Sequence, residues 1–384
     1  MKNSALKVVL RALPLLGIGS VAFAHLETED RLTALENKMG QVRTETAVGT
    51  YSAQTATAEV QVDGQGWFIL FDILYWQPRV GGTEYAYTDQ STTATLPLRG
   101  RTKDMDFDWD WGLRIGLGRH FTHDNWDVRA QYTWFESNGS ASTRVGSNNS
   151  IIPLKGSSTI TRRPNDTNPL FLYCTSAKSQ FDFNYDAVDL EMGRAYFISG
   201  DLAFRPHWGV KTAWIDLEQL VRYTGGVPQV NFDGTPIEVG LSGNTVHVKD
   251  ESDFWGVGPR LGFDTQWSLG YGFSIFGNLA GALLFGYFNV DHEEHYSAYI
   301  NNQIKIHANR HAFTPTAQMQ LGLRYDTYVF DHKQHIGIGL GFEVEYWWRQ
   351  NQTLKIDDSE QLQYERYSED ISMHGLTLDF TWDF

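Results

Sequence analysis

From Gly66 to the last residue the chain alternates apolar and polar positions with a period of two, the side-chain period of a β-strand. Between Asp106 and Gly118 the alternation is unbroken. Phe107, Trp109, Trp111, Leu113, Ile115 and Leu117 share one face, and Asp106, Asp108, Asp110, Gly112, Arg114, Gly116 and Gly118 share the other. The pattern returns at 126–134, 188–198, 202–214, 255–267, 273–285, 313–325, 336–346 and 376–384, and a first strand covers 67–76. This predicts an all-β chain of about ten long strands, with 8 to 16 as the outer limits.

The lengths of the connections add a direction. Short ones at 120–125, 199–200, 268–272 and 327–334 alternate with long polar ones at 77–105, 136–182, 216–252, 289–310 and 349–370. Outer-membrane barrels alternate short periplasmic turns with longer extracellular loops in this way. A soluble sandwich also alternates, but its apolar face is mostly aliphatic and its turns come every 8–12 residues. Here the strands exceed the 9–11 residues needed to cross a bilayer at a tilt, and aromatics cluster toward strand ends as an interfacial girdle. The expected fold is an antiparallel transmembrane β-barrel over 66–384 with both ends on the periplasmic side. Pro206 interrupts one strand and is expected to mark a bulge.

The first 65 residues follow other rules. Lys2, Lys7 and Arg11 precede an apolar stretch that ends in Ala22-Phe23-Ala24, so 1–24 reads as a secretory signal peptide. Leu32, Leu35, Met39 and Val42 then repeat with 3-4-3 spacing among charged residues. That spacing predicts a short amphipathic, coiled-coil-like periplasmic helix over 25–48. Two readings stay open for it: a helix lying on the barrel, and a self-associating coil that would make a homo-oligomer such as a trimer. Residues 49–65 are small and polar, a linker.

Composition narrows the partners. There are 13 Trp, 18 Tyr, 23 Phe and 36 Gly in 384 residues, yet mean hydropathy is negative. A barrel with an apolar outside and a polar inside has that balance. A net charge of −15 argues against nucleic acid, whose phosphates need a basic face. The single cysteine, Cys174, excludes an internal disulfide framework. The chain ends on Phe384, an aromatic terminus suited to recognition by the barrel assembly machinery as a membrane insertion signal.

Three segments carry a family resemblance: the first strand GWFILFDILYWQPRVGGTEYAY, the hairpin DAVDLEMGRAYFISGDLAFRPHWGVKTAWID and the run FWGVGPRLGF. They resemble the Legionella-type pore-forming, major-outer-membrane-protein-like family, which has relatives in environmental chlamydiae. The resemblance covers most of the mature chain and implies a porin-like role in the cell outer membrane. Its motifs are structural strands, so it implies no catalytic residue.

If the apolar face meets lipid, the other face lines the lumen. The candidate pore-lining residues are Asp108, Asp110, Arg114, Asp127, Arg129, Asp189, Glu191, Arg205, Lys211, Arg260, Asp264, Arg324, Glu343 and Glu345. Such charges set ion preference when wetted, or pair across strands and fill the interior. Ten strands leave a narrow passage at most, since eight can be filled by side chains and 16–18 enclose a channel. The lumen glycines either widen that passage or permit strand coiling. His292-Glu293-Glu294-His295 lacks the spacing of a helical H-E-x-x-H zinc motif, and no G-x-S-x-G elbow appears. Neither a cofactor, a metal nor a catalytic site is expected. The expected function is passive diffusion of ions or small solutes; the alternative is a structural or adhesive barrel with a closed lumen and functional surface loops.

Overall fold

A computed structural model describes residues 66–90, 99–121, 126–146, 149–156, 174–225, 229–230, 236–237, 245–296, 303–330, 334–357 and 363–384. The signal peptide, the 25–48 helix and the linker lie outside the described residues.

Ten long strands form one closed antiparallel ring: β1 Trp67–Val80, β2 Asp110–His120, β3 Trp126–Arg144, β4 Ser176–Arg194, β5 Leu202–Thr224, β6 Thr245–Gly270, β7 Phe273–Tyr296, β8 Gln303–Val329, β9 Gln334–Asp357 and β10 Gln363–Asp383. Each pairs with its chain neighbours. The ring closes where β1 meets β10, in register from Phe68↔Asp383 to Val80↔Ile371. Over the length where all ten strands pair, closure leaves no free sheet edge, the condition for a β-sheet in hydrocarbon, where backbone groups find no water.

The strands run well past the segments that alternation marked, to 26 residues in β6 and 27 in β8. The reason is an inversion of phase. On the outward face of β6 the residues from Trp255 to Trp267 are mostly apolar. That is about 40 Å of strand at ~3.3 Å per residue, which spans the roughly 30 Å hydrocarbon core at a tilt of about 45°. Beyond Trp255 the outward residues become Asp253, Glu251, Lys249 and His247, while the inward ones become Phe254, Ser252, Asp250, Val248 and Val246, all buried. The ladder continues beyond the membrane with most of its apolar side chains turned inward. The long connections are correspondingly shorter than expected, because their ends are strand.

Three short strands, Ala86–Asp89, Gly100–Lys103 and Ser150–Pro153, form a small sheet beyond the outer end of the ring. Tyr85, Met105, Phe107 and Ile151 from this region join the buried core of the barrel. Polar ties hold them there. Gln219 Nε2 donates to Thr83 O at 2.9 Å, and Tyr223 Oη donates to Tyr85 O at 2.5 Å. Cys174 is buried here, and burial pushes its thiol up to about 12.

One sequence expectation is settled by packing. Pro206 makes no bulge: it pairs with Phe263 in an unbroken β5–β6 register, one residue past the last β4–β5 pair. Several inward glycines are seats for inward phenyl rings, among them Gly256 against Phe254 and Gly341 against Phe276. A Cβ on Gly286 would lie 2.1 Å from the Phe254 ring, and one on Gly322 would lie 2.7 Å from Phe276.

This packing makes a test. Gly286→Val should destabilise the folded barrel by about 1–3 kcal/mol through overpacking, read as a lower midpoint for loss of the compact band on unheated gels. Gly200→Ala, where a Cβ meets nothing within 4 Å, should leave that midpoint unchanged.

Candidate functional site

Within the membrane-spanning half of the wall, every second residue points into a lumen that water reaches from the short-turn end. Charged side chains there satisfy one another across strands. Arg114 of β2 holds Glu343 of β9 with both terminal nitrogens, at 3.2 and 2.7 Å, and Asp72 of β1 at 3.3 Å. Arg129 binds Glu191 at 2.6 Å and Asp264 at 3.2 Å. Arg205 joins Asp127 and, at 2.8 Å, Asp264. Arg260 meets Glu191 at 2.8 Å, and Lys211 sits 3.4 Å from Asp189 and 3.0 Å from Glu345. A buried ion pair is tolerable only with this density of partners.

Above the ion pairs, aromatic side chains fill the lumen. Lys211 Nζ lies 5.9 Å from the Tyr185 ring centre and 5.7 Å from that of Trp347, at the boundary between charge and core. Tyr185 stands on β4 and Trp347 on β9, five strands apart in either direction around the ring. Their ring centres are 6.0 Å apart, and Tyr185 Oη donates to Glu345 Oε1 at 2.8 Å. Opposite walls therefore touch. Trp347 also packs edge-on against Phe254, which packs against Phe288, while Trp76, Phe135 and Phe183 fill the other side.

Below the ion pairs a cavity of about 500 Å³ opens at the short-turn end, bordered by Phe197, Gly200, Ser268 and Gly272. Its inner walls carry Asp72, Asp379, Gln320, Arg129 and His207, with Phe68 and Phe276 between them. At its rim His335 bridges Asp383 (2.6 Å) and Asp326 (3.1 Å).

A second buried charge cluster lies in the extension beyond the membrane-spanning segments. His292 Nδ1 is 2.6 Å from Asp250 Oδ1 and its Nε2 is 2.8 Å from Glu294 Oε1. Lys155 Nζ sits 3.5 Å from Asp250 Oδ2 and donates to Gly82 O at 2.7 Å, tying the outer connections to the wall. Burial alone would lower the His292 pKa; hydrogen bonds to the two carboxylates outweigh it and raise the value to about 9. Strand alternation explains the H-E-E-H run. His292 and Glu294 face inward while Glu293 and His295 face out. Among the described residues no group of three or more ligating side chains could hold a metal.

Of the sequence candidates, Arg114, Asp127, Arg129, Asp189, Glu191, Arg205, Lys211, Arg260, Asp264, Glu343 and Glu345 are gathered in the ion-pair belt. Asp110 stands apart at the outer end of β2, accepting from Ser137 Oγ at 2.6 Å. Arg324 pairs with Asp326 near the rim. Asp108 is a correction: it lies in the exposed connection ahead of β2, outside the barrel wall, because the strand begins only at Asp110. Phe384 follows β10, its amide bonded to Trp67 O at 2.9 Å and its ring 5.0 Å from Trp382. Asp72 and His207 were missed as site residues. Asp72 is hidden in the run WFILFDILYW, where inward Phe68 and Leu70 blur the alternation; its even spacing from Leu74 was the available signal.

A family model described as Legionella pneumophila major outer membrane protein precursor matches residues 60–384. A search of curated protein sequences returns no match. Among solved structures, the outer membrane protease OmpT of Escherichia coli aligns with 86% of this chain and 100% of its own at 9% identity and a TM-score of 0.42. The translocator domain of autotransporter NalP from Neisseria meningitidis aligns over 92% and 98% at 11% identity, TM-score 0.28. The P. putida toluene transporter TodX aligns over 84% and 91% at 9% identity, TM-score 0.26. Likeness at this level carries no functional argument.

Two outcomes follow from the charge geometry. Arg114→Met should cost about 3–5 kcal/mol of barrel stability by stranding buried carboxylates, and Glu343→Gln in the same chain should recover part of the loss. His292 has a folded pKa above its ordinary 6.5, so its contribution is complete below pH 6.5 and lost as pH rises through about 9. The thermal midpoint should fall across that window, and His292→Gln should flatten the dependence.

Proposed function

We propose, from the premise that this chain belongs to the family of the Legionella pneumophila major outer membrane protein precursor, that it is an outer-membrane barrel with a closed lumen. In this reading its work is structural and surface-directed: the ring anchors a tall extracellular extension and its connections in the outer membrane. The observation that carries the reading is the direct contact of opposite walls, Tyr185 with Trp347 and Glu345. The contact is made by wall residues. Displacing the outer connections alone therefore does not open a path, and ten strands leave little room for one.

A diffusion pore is the second reading, favoured by the charged vestibule that fills the periplasmic half of the lumen. It requires the aromatic core at the level of Tyr185 to separate. Planar-bilayer recording of the folded protein distinguishes the two. The closed reading expects no stepwise conductance from the unaltered protein, and Tyr185→Ala combined with Trp347→Ala should create it. Regular steps from the unaltered protein would establish the pore instead.

A further inference from the structure

Toward the outer end of the ring one strand loses a neighbour. β8 pairs with β7 from Phe273↔Tyr325 as far as His295↔Gln303. Its ladder with β9 runs from Val329↔Gln334 only as far as Thr316↔Trp347. Two features end it there. Pro315 has no N–H to give to a further rung. Beyond Trp347, β9 bulges in its pairing with β10, between Trp347 and Asn351, with Arg349 at a φ of +55°. Asp370 Oδ1 fixes the bulge by accepting from the Arg349 amide at 2.8 Å. The bulge turns β9 inward. Gln350, Asn351 and Gln352 are buried, and Asn351 Nδ2 donates to Gly81 O at 2.7 Å. Gln352 and Thr353 line one small cavity with Leu217 of β5 and Ser252 of β6.

Gln303–Pro315 is therefore a sheet edge: among the described residues no strand pairs with its far side. Alternate residues of an antiparallel strand direct N–H and C=O to alternate neighbours, so about half of these groups point at the vacant place. Arg310 stands at an inward position yet is exposed, where the wall does not continue. The two faces of the edge differ. Ile306, Ala308 and Ala312 pack inward against the buried core. Lys305, His307, Asn309 and His311 face outward and are exposed. The acids that answer this basic row lie behind it on β7: Lys305 pairs with Glu293, and His307 with Asp291 at 2.7 Å. A strand laid against β8 meets the basic row directly and the acidic row one strand, about 4.8 Å, further away.

We propose that this edge receives an extended segment of another protein in which acidic and apolar side chains alternate. Main-chain hydrogen bonds along Gln303–Thr314 hold the segment, and alternate side chains select it. Its acidic side chains lie beside Lys305, His307 and His311, and its apolar ones continue the inward face. Opposite charges across a strand pair stabilise it, whereas a basic segment is repelled by the row it meets first. The site is on the wall of the extension, so it is independent of whether the lumen conducts.

The test uses the full chain folded in detergent and capped peptides of about ten residues. One alternates glutamate with valine and one alternates lysine with valine. Two more are the glutamate peptide N-methylated on every glutamate or on every valine. The glutamate peptide should bind saturably and at least tenfold more tightly than the lysine peptide. In a strand the glutamate amides point to one edge and the valine amides to the other, so one methylated form should lose binding and the other keep it. Lys305→Glu should weaken the glutamate peptide at least tenfold, while Lys178→Glu, on the outward face of β4, should change nothing. Compact migration of unheated samples checks that each variant is folded. Hydrogen exchange on the free protein should show a fast set of amides within 303–314 that 316–325 lacks, and the glutamate peptide should slow that set. The proposal is overturned if the set is already protected in the free protein, or becomes protected only as a dimer forms on concentration. It is equally overturned if the lysine peptide binds as tightly, if both methylated forms bind like the parent, or if no peptide saturates.

Discussion

One constraint shapes this molecule: a strand long enough to leave the membrane must exchange its apolar face as it does so. In hydrocarbon the outward side has to be apolar, and the inward side is free to carry charge. In the water above, the outward side has to be polar, and apolar burial can come only from inside. β6 shows the switch within a few residues, from outward Trp255 and inward Gly256 to outward Asp253 and inward Phe254. The same exchange around the ring gives the protein a hydrophobic core of ordinary globular kind, set on top of a membrane barrel whose interior is ionic.

That arrangement explains why the charges sit where they do. The ion-pair belt lies below the dry core, where side chains are removed from bulk water but close enough to one another to share partners. Lys211 marks the upper boundary, with carboxylates beside it and aromatic faces around it. Asp379 marks the lower one, where its carboxylate meets only Gln320 and the cavity begins. The glycines at 256, 286 and 322 belong to the same economy of space, since a narrow ring can hold phenyl rings inside only where the adjoining strand has no side chain.

The membrane half of the wall was readable from residues 110–118 or 255–267 alone, because lipid keeps the outward positions there mostly apolar. The extension was not. Its alternation continues with the opposite face apolar, so a reading keyed to one face ended each strand at the outer aromatic and called the rest loop. Asp72 was lost for a related reason: inward Phe68 and Leu70 put apolar residues on both faces of β1. The belt residues were found as a set, but their pairing was not, since contact between β4 and β9 depends on how the ring closes and leaves no trace in local spacing. The H-E-E-H run illustrates the reverse case. A suggestive string of ligating residues is divided by the pleat, and the inward half becomes a charge cluster that ties the outer connections to the wall.

The claim on which the rest depends is that the lumen is wet below the ion-pair belt and dry above it. A cysteine scan of the inward positions of β7, in a Cys174→Ala background and with a membrane-impermeant thiol reagent on the folded protein, measures this directly. Cysteine at Asn278 should label readily, and cysteine at Leu284 or Phe288 should resist labelling until the barrel is unfolded. Labelling of position 284 or 288 as fast as position 278 would contradict the account and place a continuous water path through the barrel.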